Sequence, residues 1–191
     1  MFAVVDIETT GSKFPGNRII DLAIIRHNGR EVVSEWHTLL RPDVAIPPFV
    51  VELTGITEEM VADAPLFQEM AVDIIAQLRD CTFVAHDVNF DYSFLRHELK
   101  EVGYTLEMDK ICTLKNSRKF LPGQASYSLG RLCTSLGILV DQRHRAIGDA
   151  RATAELFSRL YPHLMGYAEA LTQGETEVQL AEIARTTKSK K

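Results

Sequence analysis

FAVVDIETTG, Phe2 to Gly11, is a short apolar run that closes on a breaker, and the rest of the fold can be read outward from it. Its length, its β-branched residues and the Thr9-Thr10-Gly11 ending make Phe2 to Ile7 a buried strand rather than a helix. Two more strand candidates follow, Ile19 to His27 and Val32 to Leu40, joined through Asn28-Gly29, the commonest two-residue hairpin signal. The chain therefore opens as an antiparallel meander.

Beyond the meander, Pro42, Pro47, Pro48 and Pro65 break the backbone between Arg41 and Pro65, which predicts a long irregular crossover. It has room for short turns such as one capped by Thr57 ahead of Glu58 and Glu59. From Leu66 to Leu78 the apolar positions Phe67, Met70, Ala71, Ile74, Ile75 and Leu78 recur at helical spacing, and Cys81 to Ala85 is another short buried strand. Asn89 to Val102 is helical again and Gly103 is placed to stop it, with further helices expected at Ser128 to Leu136 and Ala146 to Leu160. A meander followed by alternating helix and strand predicts an α/β layered sheet of mixed direction with helices on its faces. After about Gly166 the pattern decays into Thr, Gln, Glu and Lys, which reads as a polar tail or linker over 166–191.

With 191 residues and 46% hydrophobic content the chain suits one domain with a sizeable core. The three cysteines, Cys81, Cys112 and Cys133, fit neither a disulfide framework nor a zinc ribbon and are expected to be reduced core residues. No basic leader opens the chain and no apolar run reaches membrane-spanning length, so a soluble, cytoplasmic protein with no membrane association is expected. A net charge of -5 argues against a protein that coats nucleic-acid phosphates with a broad basic surface. It does not exclude a nuclease, because cations held by clustered acids reverse the local field where a phosphate must sit.

Asp6 and Glu8 lie two apart on the first strand, so both side chains leave one face and one metal could reach both. They emerge from a fully apolar run, where an unpartnered charge is costly. Asp91 falls in the first turn of the helix that begins near Asn89, just past a strand end, where α/β sheets hold ligands. Taken alone, the helix dipole explains an acid at that place more often than catalysis does, and Asp87 suits the N-cap still better. His144 lies in the basic stretch Gln142-Arg143-His144-Arg145, five residues before Asp149 in the last long helix. Imidazole is the side chain best matched to taking a proton near neutral pH. Four carboxylates drawn together need a counter-charge, and divalent cations supply it most simply, so the expectation is a two-metal phosphodiesterase. Among the other histidines, His27, His37, His97 and His163 lack such neighbours, whereas His86 flanks the Asp87 to Asp91 segment and could support the site from behind. Lys115, Arg118, Lys119, Arg143 and Arg145 could hold flanking phosphates or simply form solvated faces.

With these residues in view, the chain resembles the DEDDh 3'-5' exonucleases, and within them the DnaQ-like proofreading branch. DIETTG (Asp6 to Gly11), HDVNFDYSFL (His86 to Leu95) and HRAIGDARAT (His144 to Thr153) match the family's three motifs in order, and LTGIT (Leu53 to Thr57) and SYSLGRLC (Ser126 to Cys133) match intervening segments. The likeness covers roughly the first 165 residues, which implies an exonuclease domain over 1–165. It implies an RNase H-like three-layer fold, a five-stranded mixed sheet between helices, and stepwise removal of nucleoside monophosphates from single-stranded DNA or frayed 3' ends. Asp6, Glu8, Asp91 and Asp149 would then bind two Mg2+ or Mn2+ ions, with Asp6 shared between them, and His144 would be the general base. Thr9, Thr10, Gly11, the Leu53 to Ile56 loop and Phe90 would hold the terminal nucleotide. The family usually carries Asn where this chain has Asp87, an exchange that removes two donors and adds a negative charge near the entering strand.

Two other readings stay open on sequence. The same site could trim RNA or short oligonucleotides, because sensitivity to a 2'-hydroxyl is a matter of pocket shape. Alternatively, the fold could serve as a catalytically silent module beside a polymerase. The resemblance also implies a polymerase or sliding-clamp partner. Gln124 to Leu129 looks faintly like a clamp-binding peptide, yet a helix cap at Ser126 or Ser128 accounts for it better.

Overall fold

The computed structural model describes residues 1–188, and their side chains as far as Glu169 apart from Tyr167. Strands β1 (Phe2–Thr9), β2 (Ile19–His27) and β3 (Val32–Leu39) form the expected antiparallel meander. On the other side of β1, β4 (Thr82–Ala85) and β5 (Lys110–Cys112) add in parallel, giving one five-stranded mixed sheet in the order β3-β2-β1-β4-β5. β5 has only three residues and no apolar run of its own to announce it.

Alternation along β1 sorts its side chains onto two faces. Ala3, Val5 and Ile7 join Leu22 and Ile24 in a core closed by helices α3 (Phe67–Leu78) and α4 (Val88–Glu101). Val4 faces the other way and packs with Ala23, Ile25 and Val84 against Ala146, Ile147, Ala150, Ala154 and Phe157 of helix α7 (Ala146–Lys188). Ala146, Ala150 and Ala154 stand four apart, so α7 lays a stripe of small side chains on the sheet and can approach it closely. Helices α5 (Thr113–Phe120) and α6 (Leu129–Ser135) flank α7, with Leu132, Cys133 and Phe120 packed on its Leu156 and Leu160. The result is the expected three-layer arrangement, helices on both faces of a mixed sheet.

The crossover between Arg41 and Pro65 is more regular than its prolines suggest. Helix α1 (Pro48–Thr54) begins at Pro48, whose missing N–H costs nothing in a first turn, and it ends on Gly55 at φ 71. Thr57 caps α2 (Glu58–Val61) as expected, accepting the Met60 N–H. The hairpin differs too: His27 pairs with Val32, so the connection is Asn28 to Glu31 rather than two residues. Asn28 Oδ1 accepts the N–H groups of Arg30 and Glu31, at 2.8 and 2.9 Å, and this side-chain turn needs the longer loop. Gly29 is required there because a Cβ would lie 2.5 Å from the Tyr161 ring of α7.

The last helix runs well past Leu160. Leu164 still packs on the core, so the periodicity that fades near Leu160 marks the end of the buried face, not of the helix. Pro162 lies within it, and the polar segment expected as a tail over 166–191 continues the helix to Lys188, residues 189–191 lying outside the described residues. Cys112 and Cys133 are buried, Cys81 is partly buried, and all three are free thiols. Among the described residues no helix is long and apolar enough to cross a membrane.

Candidate active site

The site forms where β1 runs out. Asp6 and Glu8 share the face of Val4, toward α7, and lie opposite Ala23 and Asp21 on β2. A register shift between Glu8 and Thr9 ends the regular ladder immediately after the second acid, and such bulges re-aim strand ends. On the β4 side, pairing with β1 stops at Val4 and Val84. The Ile7 N–H beyond that pairing donates to Asp91 Oδ1 at 3.2 Å. Asp91 thus reaches across from the α4 layer to the backbone link between the two strand acids, and it is only 4% exposed.

The third motif arrives from the opposite layer. Asp149 lies in the first turn of α7, and its Oδ2 accepts the His144 N–H at 2.9 Å. Ligand atoms of Glu8, His144 and Asp149 all lie within 4.8 Å of one another. Asp6 feels Asp91, Asp149 and Glu8 as like charges, so the five residues singled out in the sequence converge on one spot from three separate elements.

Electrostatics record the crowding. Burial first, and then Asp91, Asp149, Glu8 and Asp21, hold the Asp6 carboxyl well above its usual range. Burial together with Asp149 and Asp21 pushes Glu8 up to about 8, despite opposition from Arg145. Asp91 is pushed up to about 8, chiefly by burial and against the Ile7 hydrogen bond, and burial raises Asp149 as well. A cluster of acids that keeps its protons near neutrality lacks positive charge. Oxygen donors from four carboxylates, beside an imidazole, suit hard divalent cations, so the residues fit the metal requirement of DEDDh-type nucleases.

Several residues around the acids are placed differently from expectation. Asp87 occupies the N-cap place of α4 but in a left-handed conformation, φ 69 and ψ 57, and makes no side-chain capping bond. A cap needs extended backbone to turn its carboxylate onto the first-turn N–H groups, and the left-handed turn aims it elsewhere. Ser128 likewise stands at the N-cap of α6 without a side-chain cap, and its own N–H donates instead to Ser126 Oγ at 3.3 Å. Arg145, read either as a phosphate contact or as part of a solvated face, is committed by its Nε to Asp21 Oδ2 at 3.0 Å. Arg143 Nε donates to His144 Nε2 at 3.2 Å, and its guanidinium fills the space that a side chain on Gly130 would need. Arg118 lies over the Tyr127 ring and Lys119 over Phe120.

The residues expected around the terminal nucleotide divide in two. Leu53 at 52% and Phe90 at 37% exposure offer open apolar surface. Ile56 is 0% exposed, packed with Ile20, Ile46, Val50 and Val61, so its side chain supports the loop from beneath. Thr9 Oγ1 donates to the Gly11 carbonyl, and Thr10 Oγ1 accepts the Arg18 N–H, which ties both hydroxyls into the loop. A Cβ at Gly11 would lie 2.4 Å from the Asn17 side chain, which would have to swing aside and leave its bonds to Thr10 and the Lys13 carbonyl. His86 lies behind the site, its ring bridging Thr113 Oγ1 and the Tyr127 carbonyl, and it only partly offsets the burial that raises Asp149.

Sequence reading missed Asp21. It is fully buried and accepts from Arg145 and from the Ala146 N–H, while His37 Nε2 stands 2.5 Å from its other oxygen. The available signal was an acid inside the otherwise apolar IIDLAII, since a charge in a buried strand needs a partner.

Comparison with known proteins agrees with this geometry. Residues 3–157 match the RNase T family model, described as exonuclease. The chain is 37% identical over 161 residues to the 3'-5' exonuclease DinG of Staphylococcus epidermidis, covering 84% of this chain and 18% of that protein. It is 35% identical over 163 residues to the PolC-type DNA polymerase III of Caldanaerobacter subterraneus subsp. tengcongensis, covering 85% of this chain and 12% of that one. The chain thus spans under a fifth of the length of these curated relatives. Among solved structures, exonuclease X in complex with 5' overhanging duplex DNA superposes with a TM-score of 0.69 at 29% identity, covering 85% of this chain and 92% of that chain. Escherichia coli exonuclease I in complex with a dT13 oligonucleotide gives 0.76 at 21% identity, covering 87% and 42%, a likeness of fold. With a family match over most of its length, an RNase H-like sheet and converging acids beside a histidine, the chain belongs to the exonuclease family, in its DEDDh branch.

Proposed function

We propose that this chain removes nucleoside monophosphates one at a time from the 3' ends of single-stranded or frayed DNA, in proofreading or repair. The observation that carries the reading is the convergence of Glu8, His144 and Asp149 within 4.8 Å, with Asp91 held over the Ile7 amide beside them. Asp6, Glu8, Asp91 and Asp149 would hold two Mg2+ or Mn2+ ions, Asp6 serving both. Bound there, the cations would supply Lewis-acid stabilisation of charge on the scissile phosphate and would acidify water.

The protein's own groups do the rest. Asp149 fixes the His144 backbone through its N–H, and Arg143 donates to His144 Nε2, so in this arrangement that nitrogen is an acceptor. Arg143 occupies the one lone pair of that nitrogen, so its guanidinium would have to give way before Nε2 takes a proton from attacking water. Leu53 and Phe90 would offer apolar faces to the terminal base, and the Thr9 to Gly11 backbone would line its sugar. Thr10 and Ile56 would shape that pocket from behind.

Residues 1–165 would form the nuclease unit and 166–191 a polar tail or linker, helical as far as Lys188, a division supported by a family match that ends at residue 157. Likeness to a stretch of a PolC-type polymerase supports work beside a polymerase. A time course on 5'-labelled single-stranded DNA, duplex with a mismatched end, and RNA, each with Mg2+, Mn2+ or chelator, tests the proposal. One-nucleotide laddering of DNA that chelator stops is the expected result. Faster digestion of RNA would move the substrate assignment, and intact strands under every metal would overturn the reading.

A further inference from the structure

Why the His144 loop holds its shape is not explained by the four acids and the histidine alone. Gln142 and His144 both adopt the left-handed backbone conformation, φ 53 and φ 59, which costs a non-glycine residue energy that its surroundings must offset. One side of the loop rests on Gly148, where a Cβ would lie 2.0 Å from the Asp141 carbonyl oxygen and 2.4 Å from that of Gln142. The other side is tied to the sheet. Asp21 Oδ2 accepts both Arg145 Nε at 3.0 Å and the Ala146 N–H at 3.2 Å, the two residues immediately after His144.

We infer that Asp21 is a positioning residue: from β2 it clamps the Arg145-Ala146 segment and thereby holds His144 against Glu8 and Asp149. Its placement suits that task. Cross-strand pairing puts Asp21 opposite Glu8, so the clamp and the site share one register of the sheet. Complete burial leaves Asp21 no water to bond, and both oxygens are occupied, Oδ1 by His37 and Oδ2 by the loop. A buried carboxylate tied to a charged donor and a backbone N–H resists displacement, because breaking either bond strands a charge. Asp149 grips the same loop at the His144 N–H, so the histidine is held between two carboxylates on successive residues.

The inference rests on His144 acting in the proposed reaction, and the test separates the two. Hydrogen exchange of the metal-free protein reads the clamp without any turnover: Asp21→Asn should speed exchange at the 144 and 146 amides by tenfold or more while amides in the middle of β2 stay protected. In the exonuclease assay the same variant should lose roughly 10- to 100-fold in kcat with KM little changed. The His144→Ala background should absorb that loss, the double variant being no slower than His144→Ala alone. Arg145→Gln, which spares the buried acid and keeps the Ala146 bond, should give a smaller loss of the same kind and serves if Asp21→Asn fails to fold. Unchanged exchange at 144 and 146 in the substituted protein, or full multiplication of the two losses, would overturn the clamp. An inactive wild type with the predicted exchange pattern would leave the clamp standing and reject the nuclease reading.

Discussion

The acids and the histidine of this site are held by opposite means. Asp6 and Glu8 ride on a strand paired residue by residue with β2, so their spacing follows from the pleat and needs no further support. His144 sits in a loop with two left-handed residues, held by Asp149, by Asp21 through its neighbours, and by the bare surface of Gly148. Charge is thus gathered on rigid scaffold, while the group proposed to take a proton depends on contacts that single substitutions can undo.

Breaking the rigid half should cost most. Asp6→Ala removes the acid that feels all the others and should take metal-dependent turnover below detection while the fold melts normally; persistent nucleotide release in that variant would remove Asp6 from the centre. His144→Ala comes next, with rate expected to fall on the order of 10²- to 10⁴-fold, the usual contribution of a general base. Metal and strand binding should survive, as calorimetry and anisotropy can check. Gly148→Ala probes the loop from its other side, because the new Cβ would meet two carbonyl oxygens and push the Asp141 to Arg145 segment outward. Displacing a reacting group by about 1 Å can cost on the order of 10²-fold, so kcat should fall, and the melting temperature should fall with it because backbone has to move. Wild-type kcat in Gly148→Ala would mean that the loop adjusts without consequence.

These contrasts also account for what the sequence revealed. Asp6, Glu8, Asp91 and Asp149 were legible because each stands in a short motif whose strand or helix setting fixes its direction, and His144 because it precedes Asp149 by five residues in one such motif. Asp21 was not, since its partners Arg145 and His37 lie 124 and 16 residues away and no local pattern links them. The five-stranded layered fold followed from the meander and the alternation after it. Pro47-Pro48 read as a break, although a first-turn proline starts a helix as readily, and Asn28-Gly29 suggested a two-residue turn where Asn28 builds a longer one. Ile56 carried a substrate role by position in its motif, yet burial decides what a side chain can touch.

A gentler prediction concerns pH. Glu8 and Asp91 ordinarily titrate near 4.5 and 3.8, and in the metal-free fold both rise to about 8. The folded state therefore binds more protons than the unfolded chain between those limits, so their contribution to stability is full below the unfolded values and is lost as pH rises through about 8. Melting of chelated protein should accordingly drop between pH 5 and pH 9 by more than in Asp91→Asn, and saturating Mn2+ should reduce the drop. Metal at about a hundred times its Kd adds about 2.7 kcal/mol on its own. Melting temperatures that rise across this range without metal would mean the acids are already ionised.

The proposed reaction requires cations to replace protons among these acids. Titrating Mn2+ into the protein at pH 7 by calorimetry, in two buffers of different ionisation enthalpy, measures that exchange directly. Binding of two ions with net proton release, both diminished in Asp6→Ala, is the expected result. Binding without proton release, or binding that Asp6→Ala leaves untouched, would contradict it.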